Sequence, residues 1–195
     1  MKIVAIQSSP GKDGLTSRLA QAVLRGATAA GAETELIHLN HHHINVCKAC
    51  ARGWGQCRRG EDCIQKGEDD FYAIHERLAA ADGFVFATPV YFWDLSESAK
   101  VFLDRLRRIE WPRKEQAPLR GKAFVGIAAA GGSGTGAPMA INNLERYVSY
   151  LQLRPVAQLP VSRQNKDLQM VAAEQTGRFM VEQVQAGMQA WKEQG

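Results

Sequence analysis

The chain has no hydrophobic run of membrane-spanning length, no strong excess of charge and few aromatic residues. Its formal net charge is +4, aromatic residues make up 8 % of the 195 residues, and its basic clusters lack the interleaved aromatics of a nucleic-acid groove. The opening MKIVAIQSS has one lysine and too few apolar residues for a secretory signal. We therefore expect a cytoplasmic protein that binds neither membranes nor nucleic acid.

Nothing in the overall composition indicates disorder. Hydrophobic residues make up 45 % and charged residues 23 % of the chain, which is close to the globular average. A chain of this length most simply forms one domain, residues 1–195. Its hydrophobic core is large enough to be stable without disulfides or structural metals. The four cysteines of a cytoplasmic chain are expected to be thiols, metal ligands or redox groups rather than disulfides.

Strand-like and helix-like segments alternate along the sequence. The predicted strands are Lys2 to Gln7, Thr34 to Leu39, Gly83 to Thr88, Ala123 to Ala130 and Val156 to Val161. Amphipathic segments with helical spacing lie between them, and right-handed crossovers then give an α/β, doubly wound parallel sheet with helices on both faces. Ligands bind at the carboxyl ends of such strands, so the loops after the first, third and fourth strands form the candidate site.

The loop after the first strand, Ser8 to Ser17, has the composition of a phosphate site. It contains neither GxxxxGK[ST] nor GxGxxG, which excludes the two best-known nucleotide loops. Its glycines expose backbone N–H groups, its hydroxyls add donors, and the start of a helix favours an anion. The candidate contacts are Ser9, Lys12, Gly14, Thr16 and Ser17. The alternative is a capped turn that binds nothing.

Three consecutive aromatic residues follow the third strand. The candidate residues in this loop are Pro89, Val90, Tyr91, Phe92 and Trp93. A polar loop cannot normally bury three aromatic rings, so they either pack beneath the next helix or form a flat wall for a planar ligand. We favour the wall, because this loop should converge with the first one. Asp94 is predicted to cap the following helix, with Glu97 three residues later.

The loop after the fourth strand is rich in glycine and begins with Gly131, Gly132 and Ser133. The span Gly132 to Ala137 fits GxGxxA, but the acidic residue that a dinucleotide unit needs about twenty residues later is absent. We interpret the glycines as allowing the backbone to approach a ring system closely. The alternative is a flexible lid without ligand contacts.

The segment from about residue 40 to 68 is too long for an ordinary connection and is predicted to be a functional insertion. It contains every cysteine of the chain, Cys47, Cys50, Cys57 and Cys63, with the spacing C-x2-C-x6-C-x5-C. Four thiolates on a short loop can hold an iron–sulfur cluster or a zinc ion. Reduced structural or redox-active cysteines are the other interpretation.

Together these features resemble the flavodoxin-fold NAD(P)H-dependent FMN reductases, including their iron–sulfur flavoprotein branch. The resemblance covers nearly the whole chain. It is carried by Ser9-Pro10 through Gly14 and Thr16, Asp69-Asp70-Phe71, Ala81-Asp82-Gly83 through Thr88-Pro89-Val90-Tyr91-Phe92, Lys100 with Phe102, Asp104 and Arg105, and the later glycine loop. It implies a flavodoxin-like, five-stranded sheet with strand order 2-1-3-4-5.

The resemblance also implies how FMN is held. Ser9, Thr16 and Ser17 would hold its phosphate with Lys12 nearby. The stretch from Pro89 to Trp93 would border the isoalloxazine, and Gly131 to Ser133 would close its other edge. The sequence departs from the iron–sulfur branch where six residues, instead of two, separate the second and third cysteines.

The leading functional hypothesis is an FMN-dependent oxidoreductase that takes a hydride from NAD(P)H and passes electrons to a quinone, nitro, azo or similar small acceptor. One alternative is an electron carrier with FMN and an iron–sulfur cluster that serves a protein partner, and another is a flavin-free binding module. We also expect a homodimer or homotetramer, in which the long loop with Trp54 and the C-terminal Trp191 cover a neighbour's site.

Overall fold

The computed structural model describes residues 1–193, with side chains described through residue 187. The strands are β1 (Lys2–Gln7), β2 (Glu33–His38), β3 (Gly83–Tyr91), β4 (Asp94–Leu95), β5 (Ala123–Ala129) and β6 (Arg154–Val161). The α-helices are α1 (Leu15–Ala29), α2 (Phe71–Ala80), α3 (Glu97–Glu110), α4 (Gly136–Tyr150) and α5 (Lys166–Glu193). Trp191, which we expected to cover a neighbour's site, lies outside the described side chains.

The long strands form a parallel sheet in the order β2-β1-β3-β5-β6. Counted without the two-residue β4, this is the predicted order 2-1-3-4-5, and the predicted fold class is confirmed. The fourth strand, β4, was not predicted and pairs antiparallel with the end of β3. Because of this hairpin, β3 continues to Tyr91, so Pro89 to Tyr91 are strand residues and not the loop that the sequence suggested.

The core has two layers, one on each face of the sheet. Buried side chains of α2, α3 and α4 cover one face, where Phe84 and Phe124 meet edge to face with ring centroids 5.2 Å apart. Helices α1 and α5 cover the other face. The central strands are therefore apolar on both sides, as parallel strands covered by helices must be. None of the described helices combines the length and apolarity needed to cross a bilayer.

Two glycines let α1 and α5 pack at backbone distance. A Cβ added at Gly26 would lie 1.8 Å from the carbonyl oxygen of Glu174, and one added at Gly177 would lie 1.9 Å from that of Val23. No side chain fits at either position. This contact was not predicted, because a glycine inside a helix pattern does not reveal which helix it faces.

Candidate functional site

The loop after β1 is fixed against the start of α3 through Ser8. Its carbonyl oxygen accepts hydrogen bonds from Asn40 Nδ2 at 2.8 Å, Ser98 Oγ at 3.1 Å and Ser96 Oγ at 3.3 Å. The Ser8 backbone N–H donates to the carbonyl oxygen of Ala87 in β3 at 2.9 Å. The carboxyl ends of β1 and β3 are thus held together, as the doubly wound topology predicted.

One of these anchoring residues, Ser96, corrects a sequence prediction. The N-cap of α3 is Ser96, whose Oγ accepts from the backbone N–H of Ala99 at 3.3 Å. The predicted cap, Asp94, is wrong: its carboxylate lies in the hairpin and accepts from Leu95 N–H and from Asn143 Nδ2. The sequence contains a local signal for Ser96, since serine is also a preferred cap, but no pattern distinguished it from the nearby aspartate.

The start of α1 is open to an anion. Gly14 is its N-cap residue, no side chain caps the helix, and its first turn carries no acidic residue. The backbone N–H groups at this end therefore lack a side-chain partner, and the helix dipole favours a negative ligand there. Lys12 is exposed beside it.

The hydroxyl residues of this loop differ in accessibility. Ser9 is half-buried, and its Oγ accepts from the N–H of Gly11 at 3.3 Å. Thr16 and Ser17 are buried in the first turn of α1, where Ser17 Oγ accepts from Gln21 Nε2 at 3.2 Å. All three lie at the same end of α1 as Gly14. Of the predicted hydroxyl contacts, Ser9 is the most accessible.

The aromatic residues form the tip of the β3–β4 hairpin. Tyr91 pairs with Asp94, so Phe92 and Trp93 make a two-residue turn with φ values of +49° and +62°. Such a turn favours Asn-Gly, and a bulky residue at positive φ costs about 1–3 kcal/mol. Phe92 is 91 % exposed, and Tyr91 and Trp93 are each 50 % exposed. These rings are not core residues, which removes one of the two interpretations of this stretch.

The glycine loop lies beside this hairpin. A Cβ added at Gly136, the first residue of α4, would be 2.9 Å from Val90 Cγ1 and 3.1 Å from Trp93 Cα. Gly131 and Gly132 have open space around them, with no atom within 4 Å of an added Cβ. Ser133 is exposed, and its Oγ lies 3.0 Å from Thr135 Oγ1. The backbone at this edge is therefore open to a flat ligand.

The four cysteines line one cavity. Together with Arg105 and Arg108 of α3, Cys47, Cys50, Cys57 and Cys63 form most of its wall, and all four are free thiols. Burial raises the pKa of the Cys57 thiol, the neighbouring Cys63 raises it further, and Arg108 opposes the shift. The segment that the sequence predicted to be functional therefore brings its cysteines to one place.

The backbone around Cys50 is strained. Ala49, Ala51 and Arg52 all have positive φ, at 45°, 49° and 55°. A Cβ at Gly55 would lie 2.2 Å from Cys50 Sγ, so this glycine leaves room for the sulfur. Clusters of such costly conformations occur at functional sites.

The donor set fits an iron–sulfur cluster better than a single ion. Among the described residues, no three histidine, cysteine, aspartate or glutamate side chains are close enough to hold one metal ion. Zinc needs thiolate sulfurs about 2.3 Å away, whereas a cluster spreads its four cysteines over several iron atoms. The cavity that the four cysteines line has a volume of about 20 Å³ in this structure.

Comparisons with known proteins agree with this geometry. The family NADPH-dependent FMN reductase matches residues 1–166. An iron-sulfur flavoprotein of Archaeoglobus fulgidus is 33 % identical over 157 residues, which cover 80 % of this chain and 73 % of that protein.

Two solved structures show the same fold. A flavone reductase superposes with a TM-score of 0.71 at 20 % identity, covering 95 % of this chain and 63 % of its own. An NAD(P)H:quinone oxidoreductase from Methanothermobacter marburgensis superposes with a TM-score of 0.68 at 16 % identity, covering 91 % of this chain and 94 % of its own.

Proposed function

Because this chain belongs to the NADPH-dependent FMN reductase family, we propose that it is an FMN-dependent oxidoreductase that passes electrons from NAD(P)H to a small-molecule acceptor. Quinones, nitro compounds and azo compounds are the acceptor classes that we propose. The predicted family is confirmed, and FMN is the cofactor that its description names. Bound FMN supplies the redox chemistry, and the protein supplies placement and electrostatics.

The observation that carries this proposal is the strained hairpin turn at Phe92 and Trp93. Each of these residues costs backbone energy, and the ring of Phe92, which is 91 % exposed, gains little of it back by burial. Strain of this kind clusters at active sites and ligand clamps. An exposed aromatic pair at the carboxyl end of the sheet suits a planar ring and leaves space for a second planar substrate.

The first loop suits the phosphate end of FMN. We propose that Ser9, Thr16 and Ser17 donate to the phosphate together with the backbone N–H groups that begin at Gly14, and that Lys12 adds charge. The uncapped start of α1 supports this assignment. The half-buried Ser9 and the exposed Lys12 lie within reach of an incoming anion.

The hairpin and the glycine loop suit the ring end. We propose that the residues from Pro89 to Trp93 border one edge of the isoalloxazine and that those from Gly131 to Ser133 close the other. Backbone N–H groups of these loops would stabilise negative charge that develops on the ring, as preorganised dipoles do. Tyr91 and Trp93 then serve to stack rather than to transfer protons, and no side chain has to act as a general acid or base.

Cofactor loading and turnover test this proposal together. Protein incubated with FMN and then desalted should be yellow, and it should oxidise NADPH or NADH when a quinone is supplied. Both pyridine nucleotides are compared, each with a quinone, a nitro and an azo acceptor. Protein that stays colourless after incubation would favour a flavin-free binding module instead.

A second candidate function is favoured by the cysteine cavity and by the iron-sulfur flavoprotein of Archaeoglobus fulgidus. We propose that Cys47, Cys50, Cys57 and Cys63 hold an iron–sulfur cluster that exchanges electrons between FMN and a protein partner. Iron and acid-labile sulfide in anaerobically purified protein test this assignment. Their absence after anaerobic reconstitution would leave the four residues as thiols.

We further propose that residues 1–195 act as one FMN-binding domain in a cytoplasmic homodimer or homotetramer. The exposed aromatic hairpin leaves the ring site open on one side, and Trp54 in the cysteine segment is 70 % exposed. A neighbouring subunit could cover both surfaces. Light scattering at micromolar concentration tests this assembly, and a monomer would refute it.

A further inference from the structure

Arg105 has the features of a hydrogen-bond donor that lacks its acceptor. Its side chain is 2 % exposed, yet neither Nε nor Nη2 has a hydrogen-bond partner. Four buried side-chain atoms in the described part of the chain lack partners, and three of them belong to Arg105 and Gln65. Both of these residues line the cysteine cavity. Leaving donors of a charged group unpaired is costly, so the two unpaired nitrogens of Arg105 beside this cavity indicate a missing acceptor.

The guanidinium is held rigidly by its other contacts. Nη1 forms a buried ion pair with Asp69 and lies 3.3 Å from the carbonyl oxygen of Asn45. The plane of the group lies over the ring of Phe71, with Cζ 4.2 Å from the ring centroid. Asp69 balances the positive charge of Arg105. What this cavity-lining side chain can offer a ligand is therefore the unpaired N–H groups of Nε and Nη2 and not an uncompensated charge.

The chemistry of the cavity identifies the acceptor. Its wall carries four cysteine sulfurs and two arginines, and a cluster held by four thiolates adds inorganic sulfide, which accepts hydrogen bonds. We infer that Arg105 donates Nε–H and Nη2–H to sulfur atoms of an iron–sulfur cluster held by Cys47, Cys50, Cys57 and Cys63. This inference rests on the second function proposed above. Gln65 Oε1 is an acceptor and takes no part.

The consequence is a higher reduction potential for the cluster. Ligation forms four bonds from cysteine sulfur to iron and releases four thiol protons to solvent. Reduction then adds one electron and one more negative charge beside the guanidinium. Hydrogen bonds to cluster sulfurs stabilise the more negative state, so Arg105 acts as a positioning residue that makes the cluster easier to reduce.

The test is a potentiometric titration of anaerobically reconstituted protein, followed by electron paramagnetic resonance. Arg105→Lys keeps the charge opposite Asp69 but loses the fork, because one ammonium cannot occupy all the positions of the guanidinium. We expect the equilibrium constant for one-electron reduction to fall at least tenfold, a shift of about 59 mV to more negative potential. The control is Arg107→Lys on the same helix, where Arg107 donates to Asp104 and does not line the cavity.

The outcomes separate this inference from the function on which it rests. Wild-type protein that takes up FMN but neither iron nor sulfide would overturn the cluster and this inference with it. Loaded Arg105→Lys protein with the wild-type potential would overturn the role of Arg105 alone. Equal shifts in the Arg105→Lys and Arg107→Lys proteins would also overturn it, because the effect would then not depend on a position in the wall of the cavity.

A second measurement does not depend on whether the Arg105→Lys variant folds. Wild-type protein is labelled with 15N only in its arginine guanidinium groups, loaded and reduced, and examined by pulsed electron paramagnetic resonance. We expect a 15N hyperfine coupling to the reduced cluster that persists in Arg108→Lys, the other arginine of the wall. No coupling, or a coupling lost with Arg108, would overturn the assignment.

Discussion

The side-chain amide of Gln7 connects His38 to the first loop. Its Nε2 lies 2.7 Å from Nδ1 of His38, and its Oε1 accepts the backbone N–H of Ser9 at 2.7 Å. Because Oε1 is an acceptor here, Nε2 must donate, and His38 Nδ1 must carry no proton. Burial lowers the pKa of His38, and the nearby His41 and Lys12 lower it further against the opposing effect of Asp13. The neutral imidazole therefore helps to hold Ser9 in place.

We predict that FMN affinity depends on the protonation of His38. The pKa of His38 lies below its usual value of about 6.5, so the neutral form and its stabilising contact are fully present above that pH. They are lost as the pH falls through the lowered pKa, when Gln7 must rotate and release Ser9. FMN binding measured by fluorescence quenching should weaken across this range.

The phosphate of FMN also titrates near this pH, so a matched variant is needed. His38→Gln retains an acceptor for Gln7 but cannot be protonated. Its pH profile should contain only the titration of the phosphate, and the difference from wild type should isolate His38. Identical profiles for the two proteins would mean that the imidazole does not influence the loop.

The phosphate assignment predicts that Ser9→Ala combined with Thr16→Val releases FMN while the fold is retained. Two donors to a charged group are lost, and the dissociation constant should rise at least tenfold. Fluorescence titration measures this change, and circular dichroism checks the fold. The control is Thr28→Val at the other end of α1, where the hydroxyl pairs with Thr34. Unchanged affinity in the double variant would mean that the phosphate lies elsewhere.

We predict that relieving the strain in the hairpin turn makes the apoprotein more stable and quinone reduction slower. Replacing Phe92 and Trp93 with asparagine and glycine supplies the residues that a two-residue turn with positive φ prefers. Relief of strain should stabilise the apoprotein by about 1–3 kcal/mol, seen as a higher midpoint in urea. Quinone reduction should fall, because the aromatic wall is gone.

Each single variant separates the two effects. Phe92→Asn removes the more exposed ring, and Trp93→Gly removes the residue that packs on Gly136. A Phe92→Asn variant that is less stable than wild type would show that the turn carries no strain at this position, because Phe92 is 91 % exposed and has little packing to lose. Full retention of FMN binding and turnover would show that the wall lies outside the site.

The sequence predicts features that are local or periodic, and the structure supplies those that depend on distant partners. The strand segments followed from apolar runs, although β2 begins at Glu33, one residue before the predicted Thr34. The extension of β3 to Tyr91 depends on pairing with β4, which a count of apolar residues does not reveal. In the same way, Gln7 gave no sign of its contact with His38, thirty-one positions away.

The candidate site follows the same rule. Hydroxyls, glycines and cysteines indicate chemistry by their residue type, so the sequence alone made them candidates. The partners that hold them in place, such as Asn40 on the carbonyl oxygen of Ser8, are ordinary polar residues. The sequence singled out Arg105 only as part of a basic cluster and of the family resemblance, and its unpaired N–H groups are visible only once the fold is known.

The contact between α1 and α5 predicts that alanine is harmful where helix propensity would favour it. Gly26→Ala and Gly177→Ala each place a methyl group less than 2 Å from a carbonyl oxygen of the facing helix. Alanine gains roughly 0.5–1 kcal/mol in a helix, but forced separation of packed helices costs about 1–3 kcal/mol or more. Both variants should therefore lower the urea midpoint of the apoprotein.

The control is Gly131→Ala, which adds its methyl group in open space and should leave the apoprotein midpoint unchanged. The double variant is the sharper test. Gly26 and Gly177 lie across the same helix contact, so once one alanine has pushed the helices apart, the second meets less resistance. Its loss of stability should be smaller than the sum of the two single losses, whereas strictly additive losses would mean that each alanine is accommodated by local adjustment and the helices keep their spacing.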